Sequence, residues 1–256
     1  MVNSAAPFPI QVSVCLPTYN GAAFLAEAIQ SVLSQSLRNF ELLILDDCSS
    51  DTTLEIARTF NDPRVHVRCN AEPLGIPENW NRCLELAQGE YVCLFHQDDR
   101  MLPENLSRKV AMLAADPTLS FVHSAVEFLV EEAAPSLPDN WIDDATEDCM
   151  IDGRTYFHKL LFGNRICAPA VVMRRSQLVT IGKFDPQLGF ACDYAMWMKL
   201  CVQGRIGFLS QPLLLYRWHQ GNASHAYRFE HGVREVLTAR CEALRYYAAR
   251  TGEHEK

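Results

Sequence analysis

The chain has 256 residues, 48% hydrophobic and 21% charged, with a formal net charge of −8, an ordinary globular composition with enough apolar residues for a sizeable core. Lysine and arginine are scattered, so the basic stripe of a nucleic-acid binder is missing and no nucleic-acid partner is expected. No run of about 18 apolar residues offers a membrane span. The N-terminal MVNSAAPFPI also lacks the charged and apolar regions of a secretion signal, so a cytoplasmic protein is expected.

The first hundred residues alternate strand and helix signals. Gln11–Leu16 reads as a strand, and residues 22–36 place apolar side chains at helical spacing. Phe40–Leu45 is a second strand. Thr52–Phe60 is a second helix, opened by Thr52-x-x-Glu55, the pattern of a capping box. Val65–Cys69 is a third strand, and Pro77–Gln88 a third helix with Gly89 just past its end. Tyr91–Phe95 is a fourth strand. Such alternation predicts an α/β protein with a doubly wound, mostly parallel sheet flanked by helices.

Beyond Asp99 the pattern loosens. Pro103–Ala115 is expected to be helical and Leu119–Ser124 extended, followed by an acidic, proline-rich loop over 130–150. Helices are expected at Thr155–Phe162 and Asp193–Cys201, and extended chain at Ala170–Met173 and Ile206–Tyr216. Residues 225–250 read as an amphipathic helix. Cys15, Cys69, Cys93, Cys167 and Cys201 sit in apolar runs and are expected to be buried, reduced thiols. Asn222-Ala-Ser224 matches a glycosylation sequon, read here as chance.

The segment Glu90-Tyr-Val-Cys-Leu-Phe-His-Gln-Asp-Asp99 is an apolar run ending in two carboxylates. In an open α/β sheet, ligands bind at the carboxyl ends of the strands. Adjacent carboxylates there repel each other unless a cation or hydrogen-bond donors satisfy them, and hard divalent cations take such oxygens together with substrate phosphates. The same pair also fits a turn or a helix cap.

Four loops fall at predicted strand ends or lead a helix: Leu16-Pro-Thr-Tyr-Asn-Gly21, Asp46-Asp-Cys-Ser-Ser-Asp-Thr-Thr53, His96-Gln-Asp-Asp99 and Phe190-Ala-Cys-Asp-Tyr-Ala-Met-Trp197. With Glu78-Asn-Trp-Asn-Arg82 and Leu215-Tyr-Arg-Trp-His-Gln-Gly-Asn222, their order and spacing resemble the family 2 glycosyltransferases over about residues 11–224. The resemblance implies a GT-A fold and inverting sugar transfer from a nucleotide-diphosphate sugar, most often a UDP-sugar. The acceptor would be a carbohydrate or lipid-linked hydroxyl in polysaccharide or glycolipid assembly.

It implies donor-binding roles for Pro17, Thr18, Tyr19, Asn20, Asp47 and Asp98, with Tyr19 as a stacking surface for the base. Asp99 and His219 would bind Mn²⁺ or Mg²⁺, and Asp193 would be the general base. It also implies one domain over 1–224, with a nucleotide-sugar-binding half at about 10–110 and an acceptor half at about 111–224. The tail over 225–256 would pack on its own domain or on a second subunit, or lie on the membrane surface.

Two positions depart from the family pattern. His96 stands where the family often has Asp, and Cys192 where it often has Glu. A neutral imidazole suits manganese better than magnesium, and His96 equally fits a packing role. Local readings also compete. Asp47 fits a turn, Asp193 an N-cap, and His219 an ordinary core or surface histidine. Asn79, Trp80 and Asn81 are read as bracing the donor loop, and Gly75 as serving backbone geometry. Rival functions are a catalytically silent nucleotide-sugar-binding protein and a sugar nucleotidyltransferase. The latter wants a basic, glycine-rich loop after the first strand, and Leu16–Gly21 has no Lys or Arg.

Overall fold

The computed structural model describes residues 10–132, 134–135, 145–223 and 230–252. Strands β1 (Val12–Thr18), β2 (Phe40–Asp46), β3 (Val65–Cys69) and β4 (Tyr91–Leu94) alternate with helices α1 (Leu25–Leu33), α2 (Thr53–Arg58) and α3 (Ile76–Leu86). The short β5 (Arg100–Met101) precedes α4 (Asn105–Ala115), the long β6 (Leu119–Val130), β7 (Cys149–Ile151) and α5 (Gly153–Leu160). β8 (Val172–Arg174), α6 (Arg175–Ile181), α7 (Cys192–Cys201), β9 (Arg205–Trp218) and α8 (Glu230–Thr251) complete the described chain.

All nine strands join one sheet in the order β3-β2-β1-β4-β8-β6-β9-β5, with β7 on β9. The β3-β2-β1-β4 half is parallel, as its helical crossovers require. β8 then runs antiparallel between β4 and β6, and β6 lies parallel to β9. The expected α/β sheet is present, with an antiparallel insertion.

Alternation along the strands sends side chains to opposite faces. Val12, Val14 and Leu16 of β1 meet Leu25, Ile29 and Val32 of α1 and Leu106 and Leu113 of α4 on one face. Cys15, Leu43 and Leu45 point the other way, into a core with α3, α5, α7 and α8. β1, β2 and β4 are buried on both faces, which is why they read as near-continuous apolar runs, while β3 at the edge is half exposed.

Several expectations need correction. Thr52 precedes α2 but makes no side-chain capping bond, so no capping box forms. The Thr53 hydroxyl and amide bind Asp51 Oδ1 instead, at 2.5 and 3.0 Å. Cys69 is exposed at the end of β3, whereas Cys15, Cys93, Cys167 and Cys201 are buried as expected; all four are free thiols. β6 runs to Val130, past the expected end at Ser124, because β9 pairs with it as far as Val130↔Trp218. Parts of the acidic loop (133, 136–144) and the start of the tail (224–229) lie outside the described residues.

Gly89 links α3 to β4 where the chain presses on β1. A Cβ there would lie 2.5 Å from the Ser13 amide nitrogen and 2.8 Å from the Tyr91 carbonyl oxygen, both backbone atoms that cannot swing aside. Gly89→Ala is therefore expected to destabilise the fold by about 1–3 kcal/mol through overpacking. Urea unfolding of the variant checks this, and an unchanged midpoint contradicts it.

Candidate active site

The neighbour order β2-β1-β4 sets three strand-end loops side by side at the carboxyl edge of the parallel half. They open into a cleft of about 740 Å³. Its walls include Pro17, Thr18, Tyr19 and Asp47 on one side, His96 and Asp98 on the floor, and Asn164, Cys167 and Asp193 on the other side.

The first loop is fixed by its neighbours. Thr18 is buried and its hydroxyl donates to Asp46 Oδ1 at 3.0 Å. Asn20 holds a positive φ of 45°, its amide donates to Ser49 Oγ, and its Oδ1 accepts from the Ser50 amide at 2.8 Å. The Gln97 side chain brackets Tyr19, accepting from its amide at 2.9 Å and donating to its carbonyl at 3.0 Å. The Tyr19 ring is left 56% exposed, a surface available for stacking.

Asp47 is buried and organises the 70–75 loop. Its Oδ1 accepts from Asn70 Nδ2 and the Leu74 amide, and its Oδ2 from the Gly75 amide, each at 2.8 Å. Gly75 at φ 80° makes the turn that presents that amide. Asn79 Oδ1 accepts from Asn70 Nδ2 at 2.9 Å, and Asn81 bonds the Phe184 backbone in both directions, so both asparagines brace loops. Trp80 sits between His96 and Phe184, with ring centroids 5.6 and 5.3 Å away.

The Asp98–Asp99 pair is held from β9. Asp99 Oδ1 accepts from the Arg217 amide at 2.8 Å, while its Oδ2 is buried without a hydrogen-bond partner. Burial, then the neighbouring Asp98, push the Asp99 carboxyl well above the usual range. His96 Nδ1 lies 3.7 Å from that oxygen, its Nε2 is buried and unpartnered, and burial holds the imidazole below its ordinary pKa. One ligand atom from each of His96, Asp98 and Asp99 lies within 4.8 Å of the others. Two carboxylates, an unpartnered oxygen and a neutral imidazole suit a manganese-type cation.

His219 is placed differently from this trio. Its Nε2 meets Asp98 Oδ2 at 3.0 Å, and its Nδ1 accepts from the Gly221 amide at 3.2 Å, which makes Nε2 the donor to Asp98. With both ring nitrogens so engaged, His219 orients Asp98 in this arrangement. Asn222, of the sequon, is buried and bonds Asp98 Oδ2 and the Arg217 carbonyl.

Asp193 is the second residue of α7, and Ala191 occupies the N-cap position, so the carboxylate does not cap the helix. Its Oδ1 accepts from the adjacent Tyr194 amide at 2.5 Å. Burial raises its pKa to about 7, against the opposing pull of the Tyr194 amide, the Trp197 indole and Asn164. Burial thus outweighs the helix N-terminus. The Asn164 amide is oriented because its Oδ1 accepts from the Ile166 amide at 3.1 Å.

The model of glycosyl transferase family 2 matches residues 13–180. The chain belongs to this family. A Bacillus subtilis (strain 168) protein named as the glycosyltransferase EpsE is 38% identical over 215 residues, covering 80% of this chain and 71% of its own length. TuaG of the same organism, named for teichuronic acid biosynthesis, is 31% identical over 80% of this chain and 78% of its own.

Among solved structures, Staphylococcus aureus TarS 1-349 with UDP-GlcNAc superposes with a TM-score of 0.73 at 20% identity, covering 94% of this chain and 71% of that one. The Pyrobaculum calidifontis mannosyltransferase PcManGT, with GDP-Man and Mn²⁺, gives 0.62 at 18% identity over 98% of this chain and 77% of its own. These structures share the GT-A fold. The protein is a glycosyltransferase, and its family match ends before Asp193.

The sequence reading of this glycosyltransferase missed Gln97, Asn70, Asn164 and Arg217. The last has the largest structural part. Its guanidinium is buried, donates to the Asp98 carbonyl and to Glu27 Oε2 at 2.8 Å each, pairs with Glu131, and lies 4.4 Å over the Phe24 ring. The available signal was a lone arginine inside an apolar strand. Arg217→Ala leaves the Asp98 carbonyl without this donor and removes a buried side chain, while the half-exposed Glu27 and Glu131 return to water, so the expected cost is about 1–3 kcal/mol of stability. Denaturant midpoints at constant slope measure the loss; a change below about 1 kcal/mol would show the cluster to be a surface pair.

Proposed function

We propose that the protein transfers a sugar, with inversion, from a nucleoside-diphosphate donor to an acceptor hydroxyl, with Asp193 as the general base. One observation carries this reading: Asp193 lines the same cleft as His96 and Asp98, in surroundings that bring its pKa to about 7. A base works best with a pKa near the working pH. The segment of about 10–110 forms the donor half of one domain over 1–224, and about 111–224 the acceptor half.

Pro17, Thr18, Tyr19 and Asn20 form the wall for the base, with the Tyr19 ring as the stacking face. Asp47 Oδ2 takes one backbone donor and keeps acceptor capacity for a base N–H, such as N3–H of uracil. Asp98, held by His219 and Asn222, faces the ribose and diphosphate. Asp98, Asp99 and His96 would hold Mn²⁺ or Mg²⁺. Such an ion supplies charge stabilisation for the departing diphosphate.

The acceptor oxygen attacks the anomeric carbon from the face opposite the diphosphate. Asp193 takes the hydroxyl proton as the new C–O bond forms and the bond to the diphosphate oxygen breaks. The Tyr194 amide supports the ionised carboxylate between turnovers. The names of TuaG and of Escherichia coli WcaA, given for teichuronic and colanic acid biosynthesis, support a growing polysaccharide or its lipid-linked precursor as acceptor.

Mn²⁺ is expected to increase the stabilisation that UDP confers, relative to UDP with EDTA. At about a hundredfold excess over its dissociation constant, the ligand contributes about 2.7 kcal/mol. Asp99→Ala should abolish the metal-dependent part in a thermal-shift assay. Equal stabilisation with and without metal would refute the assignment of the pair.

Asp193→Asn should bind UDP as the parent does while losing about 10²–10⁴ in transfer rate. The parent's rate should fall about tenfold per unit of pH below about 7, as the base is protonated. Stability moves the opposite way. Because the folded state holds this proton more tightly than the unfolded state does, the carboxyl lowers stability as pH rises from about 4 to 7, by up to about 4 kcal/mol. Asp193→Asn should therefore melt higher than the parent at pH 8, with the gap closing at pH 4. A gap that does not change with pH would contradict the buried charge.

A further inference from the structure

The end of the chain packs on the helix that carries Asp193. Ala239, Ala243 and Tyr247 of α8 are buried, and the Tyr247 ring stacks on Phe157 at 4.7 Å between centroids. Polar contacts follow α7 along its length. Arg240 Nε donates to the Tyr194 hydroxyl at 3.1 Å, and Lys199 Nζ lies 3.5 Å from Glu242. At the start of α7, Glu235 Oε2 accepts from the amides of Phe190 and Ala191, at 3.0 and 3.4 Å.

This last contact falls where the chain needs it. Gly189, at φ 50° and ψ −116°, breaks the preceding helical turn, and the N-cap residue Ala191 has no side chain able to accept. The Phe190 and Ala191 amides follow this break, and the carboxylate that accepts from them comes from another element, Glu235 of α8. Two residues further on stands Asp193. The Cys192 thiol, between them, is raised chiefly by burial and by Asp193, with a smaller contribution from Glu235. Val236 lines the cleft itself, so this part of α8 lies at the edge of the site.

We infer that Glu235 is a positioning residue for sugar transfer, holding the Phe190–Asp193 segment through its two backbone hydrogen bonds so that the Asp193 carboxylate faces the cleft. The inference rests on Asp193 acting as the base. It gives the tail a part in the reaction, although the tail lies outside the family match.

The test compares Glu235→Ala, Glu235→Gln and Asp193→Asn in the full chain, with UDP release from UDP-N-acetylglucosamine to water in the presence of Mn²⁺. A second readout is the Asp193 carboxyl titration by NMR in ¹³C-aspartate-labelled protein, assigned by its loss in Asp193→Asn. Glu235→Ala should keep UDP affinity within about twofold but lower kcat about tenfold. Its Asp193 midpoint should move by about half a pH unit or more as solvent reaches the carboxyl. Glu235→Gln, whose amide oxygen can accept the same two bonds, should stay near the parent in both.

A Glu235→Ala variant with parental kcat and midpoint overturns the inference. So does a Glu235→Gln as impaired as the alanine variant, since charge rather than hydrogen bonding would then be at work. Parental turnover in Asp193→Asn overturns the base assignment and this inference with it. An inactive Asp193→Asn beside an unaffected Glu235→Ala overturns the inference alone.

Discussion

The Arg217 guanidinium holds the cleft in one arrangement. It joins α1 through Glu27, the end of β6 through Glu131, and the Asp98 carbonyl, while its own amide binds Asp99. A buried cation of this kind adds less to net stability than its bond count suggests, because desolvation offsets much of the attraction. Its contribution here is geometric. The planar, five-donor group suits one set of partners, and that set fixes the backbone at Asp98 beside the cleft that the Asp98 side chain lines.

The two ends of the cleft then use burial in different ways. At Asp99, burial and a neighbouring carboxylate make the charged form costly. A cation held as proposed would offset that cost. At Asp193, burial is moderated by Asn164, the Trp197 indole and a backbone amide, and the carboxyl stays close to neutrality in its titration. In the proposed reaction, one acid would give up its proton in the loaded site, and the other would take one up and release it in every cycle.

Much of the fold was legible in the sequence, and the reason is local. β2 extends its predicted span by one residue, because a buried parallel strand advertises itself as a continuous run, whereas the half-exposed β3 shows only its two valines. Three of the site loops were legible because each follows a predicted strand, and the fourth because it leads a helix. What escaped was non-local. Arg217 reads as a stray charge until its partners 86 and 190 positions away are known. Glu235 and Phe190 are 45 positions apart, and nothing in either segment announces the other. Cys69 reads as core because Val65 and Val67 flank it, yet it sits where β3 runs out into solvent.

The pairing of β5 with β9 has a kinetic consequence. Arg100–Met101, directly after the Asp pair, is extended only because Leu214 and Leu215 arrive from far along the chain. The bonds from the Arg217 amide to Asp99 and from His219 to Asp98 close loops of 118 and 121 residues. Loops of that length form late, since their closure entropy must be met before any contact rewards it. The β3-β2-β1-β4 half can assemble while the chain is still emerging from the ribosome. The Asp98–Asp99 side of the cleft is completed only once residues around 214–222 have been made, so a nascent chain carries its strand-end loops well before the cleft closes around them.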